Sequence, residues 1–321
     1  MSLEQMENFN KYMMPSIIET LSQEVEKFNA ASNGAIRLTT EGFEGDFLQE
    51  SFFSSLHGAQ RRVDRRAANG SVSPTDLTQD KNVGVKVAGG FGPIRYEPSQ
   101  MTWLQKPTAE GIEVISRNFA EALLSDQLNT SIACLVAAIE NQADATNDVS
   151  ASAGLDYQAM NGAHAKFGDA SNNLVANVMT GAVYHKFVGQ NVANASQLFQ
   201  AGNVTIIDIL GKPVIVTDAP ALYEAGTPNK QKALGLTDSA AVVHDGSDVI
   251  TNIQTVNGKD RIETTLQSDY TFGMKLKGYA WDTVNGGASP SDAELGTGSN
   301  WDKVASSIKH TAGVIAVGDA A

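Results

Sequence analysis

The pattern of apolar residues predicts an α+β fold, and three features carry that reading. Residues 108–140 hold one long helical stripe, residues 81–97 alternate as strands do, and short strand-like runs recur from 174 to 278. At 321 residues the chain has length for about two domains and can bury a core without disulfide staples.

The helical stripe is the clearest element. Ile112, Ile115, Phe119 and Leu123 share one face, and Leu124, Leu128, Ile132, Leu135 and Ile139 continue it with a one-residue shift. Unbroken, such a helix runs about 50 Å, long enough to be the spine of a flat domain. Residues 3–30 also read as helix: Met6, Phe9, Met13, Ile17, Leu21, Val25 and Phe28 recur at steps of three and four, with a break at Pro15. That segment either packs on its own domain or docks as an arm on a neighbouring subunit. Asn33-Gly34 marks a turn, 35–40 a short strand, and 41–53 an extended stretch anchored by Phe43, Phe47, Phe52 and Phe53.

Val83, Val85 and Val87 alternate with polar residues, the Gly-rich 88–93 reads as a turn, and 94–96 resumes the alternation. Together 81–97 predict a β-hairpin with little apolar content of its own. A lone two-stranded hairpin is marginal in water, so it needs another surface to lie on. Residues 142–173 read as loop with one short helix, 174–179 as strand, 181–192 as helix, and 204–210 and 214–217 as strands. Strand-like runs follow at 240–243, 250–256, 261–266 and 272–278, with Asn257-Gly258 as a hairpin turn. The tail beyond Trp281 is rich in Gly, Ser and Asn, with Trp301 as its anchor.

Charge narrows the function. Lys and Arg number 23 against 36 Asp and Glu, a net charge of −13, which argues against a protein whose main task is gripping nucleic acid or an anionic membrane. The single cysteine, Cys134, allows no intramolecular disulfide and no cysteine-based zinc site. The acidic start is unlike a signal peptide, and no continuous apolar run is long enough to span a bilayer, so a soluble, cytoplasmically made protein is expected. Charged residues are only 18% of the chain while Gly (29 residues), Ala, Asn, Ser and Thr abound, as when much surface is covered by further copies. Against that background Arg61, Arg62, Arg65 and Arg66 form a dense basic cluster, either a solvated helix face or a docking patch for an acidic surface.

A search for chemistry finds little. There is no phosphate-binding P-loop and no Gly-x-Ser-x-Gly elbow, and Gly89-Gly90-Phe91-Gly92 lacks the strand-to-helix context of a dinucleotide site. None of His57, His164, His185, His244 and His310 has a second histidine four residues on. His244-Asp245 could form an acid–base pair or ligate a metal, but reads better as a turn between strands. Cys134 reads as a buried small hydrophobe. No catalytic residue, metal ligand or cofactor is assigned.

The order of parts is more informative: an amphipathic arm, an Arg-rich extended segment, a hairpin that cannot support itself, a spine-length helix, then strand–helix–strand with Leu210-Gly211-Lys212-Pro213-Val214-Ile215-Val216-Thr217-Asp218-Ala219-Pro220. A tail with Trp281-Asp282 and Asn300-Trp301-Asp302-Lys303 closes the chain. Across nearly its whole length this resembles the major capsid proteins of tailed bacteriophages, the Hong Kong 97-like fold. The resemblance implies an N-terminal arm at 1–50, an extended loop at 51–106, a peripheral domain at 107–170 and 268–321, and an axial domain at 171–267. It implies a non-enzymatic protein that assembles with itself as hexamers and pentamers into an icosahedral shell, in the virion after assembly in the host cytoplasm. Scaffolding, portal and decoration proteins are implied partners, and double-stranded DNA is enclosed without specific binding. The scaffolding is expected as a separate protein or as a segment already lost, and the Lys–Asn cross-link of some relatives has no matching motif. The inter-subunit contacts fall to Arg61, Arg62, Arg65 and Arg66, and to Lys86, Phe91 and Arg95 of the hairpin. Two other readings remain: a cellular nanocompartment shell of the same fold, and an acidic hydrolase using Asp208, Asp218 or Asp245.

Overall fold

A computed structural model describes residues 29, 32–53, 60–74, 76, 79–96, 108–198, 212–246 and 249–320. The helix expected at 3–30, residue 29 apart, and the strand expected at 204–210 lie outside the described residues.

In chain order the elements are β1 (Ile36–Gly42), β2 (Phe47–Phe53), β3 (Gln79–Tyr96), α1 (Thr108–Glu140), β4 (Thr146–Asp148), α2 (Tyr157–Ala165), β5 (Leu174–Met179) and α3 (Gly181–Leu198). Then come β6 (Val214–Val216), β7 (Tyr223–Glu224), β8 (Lys230–Thr237), β9 (Ala241–Asp245), β10 (Ile250–Val256), β11 (Glu263–Leu276), β12 (Tyr279–Trp281), α4 (Asp292–Leu295), β13 (Trp301–Lys303) and β14 (Gly313–Asp319). The first sheet runs β1-β9-β11-β12-β13, with β3 and β10 also on β11 and β2 on β3; the second runs β4-β14-β8-β5-β6, with β7 on β8.

The sheets divide the chain differently from the expected segments. A boundary at 267/268 cuts through β11, and β14 from the tail enters the sheet of β5. The second half of α1 is the hub: Ile132, Leu135 and Ile139 are fully buried in a core with Val85, Met274 and Trp301 from the first sheet and Val178, Leu234 and Ile315 from the second. Nearly every side chain from 130 to 139 is buried, so here the helix is apolar all round rather than striped. Residues 117–140 are apolar and long enough to cross a membrane by composition alone, but 56% of their most apolar 18 residues are buried in the fold, as befits a core helix. A smaller core of Leu155, Met160, Phe167, Val183, Phe187 and Val314 seats α2 and α3 on the second sheet. Asp156 caps α2, its carboxylate accepting the Ala159 N–H at 2.7 Å.

Local turns follow the sequence. Asn33 (φ 52°) and Gly34 (φ 74°) are both left-handed, as the turn into β1 requires. Trp301 is fully buried edge-on to Trp281, centroids 4.9 Å apart, and each indole N–H meets a backbone carbonyl, of Leu295 and Gly287 respectively.

The expected hairpin at 81–97 is not formed. Those residues belong to one 18-residue strand, β3, whose 85–96 stretch pairs antiparallel with β11 and whose 79–85 stretch pairs with β2. The Gly-rich run serves close approach, not reversal: a Cβ on Gly89 would sit 2.6 Å from the Tyr270 ring. Val83, Val85 and Val87 are buried, so this strand supports the core of its own subunit. Likewise 261–266 and 272–278 form one strand, β11, because Ser268 and Tyr270 between them point inward, the Tyr270 hydroxyl donating to Asp126 at 2.7 Å.

Two buried polar groups tie the elements together. Lys232 on β8 donates to Glu140 at the end of α1 (2.7 Å) and to Glu224 on β7 (2.8 Å). Burial opposes the charge of Lys232, but the two carboxylates outweigh it and hold its pKa above the ordinary value. His164 on α2 lies 3.1 Å from Asn177 Oδ1 on β5; burial, with the Lys212 ammonium nearby, holds its pKa down at about 4 instead of 6.5.

Removing the lysine loses its buried stem and leaves two partly exposed carboxylates unpaired, so Lys232→Ala should cost about 1–2 kcal/mol in urea unfolding, against under about 0.5 kcal/mol for Glu224→Gln at the rim. Equal small losses would mean the cluster is solvated. For His164 the unfolded side chain protonates below about pH 6.5 while the folded one stays neutral to about 4, so its contribution holds above that window and is lost as pH falls through it. The urea midpoint should therefore drop more between about pH 7 and about pH 5 in the wild type than in His164→Gln. Identical pH dependence would contradict a neutral buried His164.

Candidate assembly surface

The reversal absent from 88–93 occurs elsewhere. β2 and β3 form an antiparallel ribbon in which Phe47 pairs with Val85 and Phe53 with Gln79. The inner part of β3 is held by β11, and Lys275 on β11 bonds Glu50 on β2. Beyond residue 84 toward its N-terminus β3 has only β2 beside it in the sheet, so the ribbon leaves the body there. At its far end residues 60–74 have no regular structure, and every one is exposed.

Arg61, Arg62, Arg65 and Arg66 all lie in this tip. They are not on a helix face, as one reading of the cluster had it. The Asp64 carboxylate accepts the Arg66 backbone N–H at 2.9 Å, shaping the turn locally. None of the four guanidinium groups makes an ion pair with a described residue, whereas Lys230, Lys232, Lys259, Lys275, Lys309 and Arg95 each have a carboxylate. Val63 (64% exposed) and Val72 (55% exposed) flank the arginines. Uncompensated positive charge beside exposed valines is thus concentrated at a point held away from the core, in a chain of net charge −13.

Lys86, Phe91 and Arg95 are placed otherwise. All three sit on the stretch of β3 paired with β11. Lys86 is half-buried and its backbone N–H donates to Asp46 O at 3.0 Å. Phe91 packs edge-on to Phe119 of α1, centroids 5.6 Å apart, and Arg95 pairs with Glu263 at 3.3 Å. The structure brings the four arginines together and gives these three intrachain partners.

The residues considered for catalysis have structural surroundings. Cys134 is fully buried, and burial, reinforced by Asp292, pushes its thiol pKa far up. Asp218 accepts the Gly181 N–H at 3.0 Å at the start of α3. His244 is buried beside Phe43, with burial and Lys275 lowering its pKa, and the Asp245 carbonyl accepts the Phe43 N–H at 2.9 Å. Asp208 lies outside the described residues. Among the described residues no group of three His, Cys, Asp or Glu side chains is placed to hold a metal. An open cleft of about 440 Å³ at the seam of the two sheets is lined by Asn173, Asp238, Lys277, Lys309 and His310 among others, with Lys277 donating to the Asp238 carbonyl.

The chain matches the model of the Gp13-like family, described as major capsid protein 13-like, over residues 5–315, and it belongs to that family. Among solved structures, the capsid asymmetric unit of cyanophage Pam1 is similar at TM-score 0.51 and 12% identity, covering 89% of this chain and 88% of that one. A structure of Mycobacterium phage Adephagia follows at TM-score 0.49 and 13% identity, covering 88% and 87%. At 12% identity the likeness to the Pam1 capsid is one of fold, here the Hong Kong 97-like fold. A search of curated protein sequences returns no significant match. The protein is a virion component that associates with copies of itself, and its role is structural.

The tip makes no described contact with the core, so replacing 60–74 by a short Gly/Ser linker should change unfolding free energy by no more than about 0.5 kcal/mol. A loss above about 2 kcal/mol would show that the tip packs on its own subunit.

Proposed function

We propose that this subunit builds a closed icosahedral shell of hexamers and pentamers around double-stranded DNA, with the tip of the β2–β3 ribbon docking on a neighbouring copy. The observation that carries the reading is the four-arginine tip, exposed and without a described carboxylate partner. A tip that meets a different patch on the next copy is a heterologous contact, which closes into rings when the rotation permits. Desolvated Arg–carboxylate pairs at such a contact set register and reject wrong partners more than they add affinity. Many weak contacts per subunit then sum over the shell.

We assign the parts as an arm ahead of β1, in place of 1–50 because β1 and β2 belong to the first sheet, an extended loop in the 51–106 stretch as far as β3 joins β11, a peripheral unit on the first sheet with α1, and an axial unit on the second sheet. Lys86, Phe91 and Arg95 would reach a neighbour from the exposed side of β3, secondary to the arginines. Scaffolding, portal and decoration proteins complete the proposed partners. An acidic container also suits its content, since net negative charge repels packed DNA weakly where a basic lining would bind it with strong salt dependence. Neither a nanocompartment shell nor an acidic hydrolase is favoured: the matching family is one of major capsid proteins, and of the carboxylates considered for hydrolysis Asp218 is engaged by the Gly181 N–H at the start of α3.

The double variant Arg65→Glu/Arg66→Glu should abolish shells in negative-stain micrographs while leaving the far-UV spectrum of the subunit intact. Shells at wild-type yield would show the cluster to be merely solvated.

A further inference from the structure

The chain contains Asn-Gly five times, at 33–34, 69–70, 161–162, 257–258 and 285–286. This dipeptide has a known chemical weakness. The glycine nitrogen can attack the asparagine side-chain carbonyl, and the absent Cβ leaves the approach open. The reaction needs a glycine N–H that is not held in a hydrogen bond, an amide that is free to turn, and exposure to water.

At three sites the structure ties up the glycine N–H. At 33–34 the Gly34 N–H donates to Asn29 O at 3.2 Å, and the Asn33 amide reaches Val175 O at 3.5 Å. Asn161 and Gly162 lie inside α2, where the helical ladder holds the backbone, and a Cβ on Gly162 would meet the Asn147 amide at 2.7 Å. At 285–286 the Gly286 N–H donates to Asp282 O at 2.9 Å, the Asn285 amide is held by the Asp282 carboxylate, and Gly286 is buried.

The other two sites lack these restraints. Asn69 and Gly70 are exposed in the irregular tip, neither makes a hydrogen bond with a described residue, and a Cβ on Gly70 would meet nothing within 4 Å. Asn257 and Gly258 are exposed in the turn between β10 and β11, again without a described hydrogen bond, and a Cβ on Gly258 would likewise meet nothing within 4 Å.

We propose that Asn69 and Asn257 are the sites at which this protein modifies itself, by spontaneous deamidation, and that the structure protects the other three. The glycine nitrogen forms a bond to the asparagine Cγ and loses its proton; the Cγ–Nδ2 bond breaks and ammonia leaves. Water then opens the cyclic imide at either carbonyl, giving aspartate or isoaspartate, with no redox change. At Asn69 the product is a carboxylate three residues from Arg66, which lowers the net charge of segment 61–70 from +3 to +2. Deamidation there is a chemical clock acting on the charge of the tip, and it stands whether or not the tip is the docking element.

The test incubates the purified full chain in neutral buffer at body temperature and follows tryptic peptides by mass spectrometry over time. Peptides spanning Asn69 and Asn257 should gain one dalton progressively and split into chromatographically distinct aspartate and isoaspartate forms. Those spanning Asn33, Asn161 and Asn285 should keep their amide until the protein is unfolded in urea, which should equalise all five. Deamidation at a protected site in the folded chain, as fast as at Asn69 or Asn257, would overturn the assignment. So would amide forms at Asn69 and Asn257 that outlast those in the urea-unfolded chain.

Discussion

The antiparallel pairing of β3 with β11 is the contact on which the rest of the architecture depends. Val85 is matched on one side to Met274 and on the other to Phe47, so a single residue joins the core sheet to the outgoing ribbon. Below it, backbone pairing and buried valines clamp β3 against the spine helix. Beyond it, the ribbon has only its own two strands. The clamp gives the ribbon direction; the lack of a third strand leaves it in need of another surface, since two strands alone are marginal in water.

This division of labour separates folding from assembly. The apolar burial that stabilises the subunit lies around the second half of α1, shared by both sheets. The tip carries charge and exposed valines but contributes no described core residue. A subunit built this way can fold before it meets its neighbours and still offer them a surface that its own chain leaves uncompensated. The Lys232 cluster and the His164–Asn177 pair sit where helices and the second sheet meet and tie the two together.

Much of this was legible in the sequence, for physical reasons that differ by element. The spine helix emerges at 108–140 because its apolar spacing runs long with a single one-residue shift, and β5 emerges at 174–179 because a buried strand is a short apolar run. β14 and β8 escape notice. β14 is central and buried on both faces, so it shows no alternation, and its glycines resemble those of the surrounding loop. The glycines at 89, 90 and 92 mislead in the opposite direction. They look like a turn, yet they let β3 pass close to Tyr270 and Leu266, a demand set by residues some 180 positions away. The arginines are visible as a cluster in the sequence, but that their guanidinium groups pair with no described carboxylate is a property of the folded chain. The signal for the true ribbon was the Phe-rich 47–53 stretch, whose partner strand cannot be identified from local pattern.

The account's central claim is that the ribbon tip is completed by a second copy. Cryo-electron microscopy of the assembled shell, at a resolution that shows side chains, tests it most directly. Residues 60–74 should be ordered against a neighbouring subunit, with Arg61, Arg62, Arg65 and Arg66 facing its carboxylates. A tip that stays in solvent, or folds back on its own subunit while neighbours meet elsewhere, would contradict it.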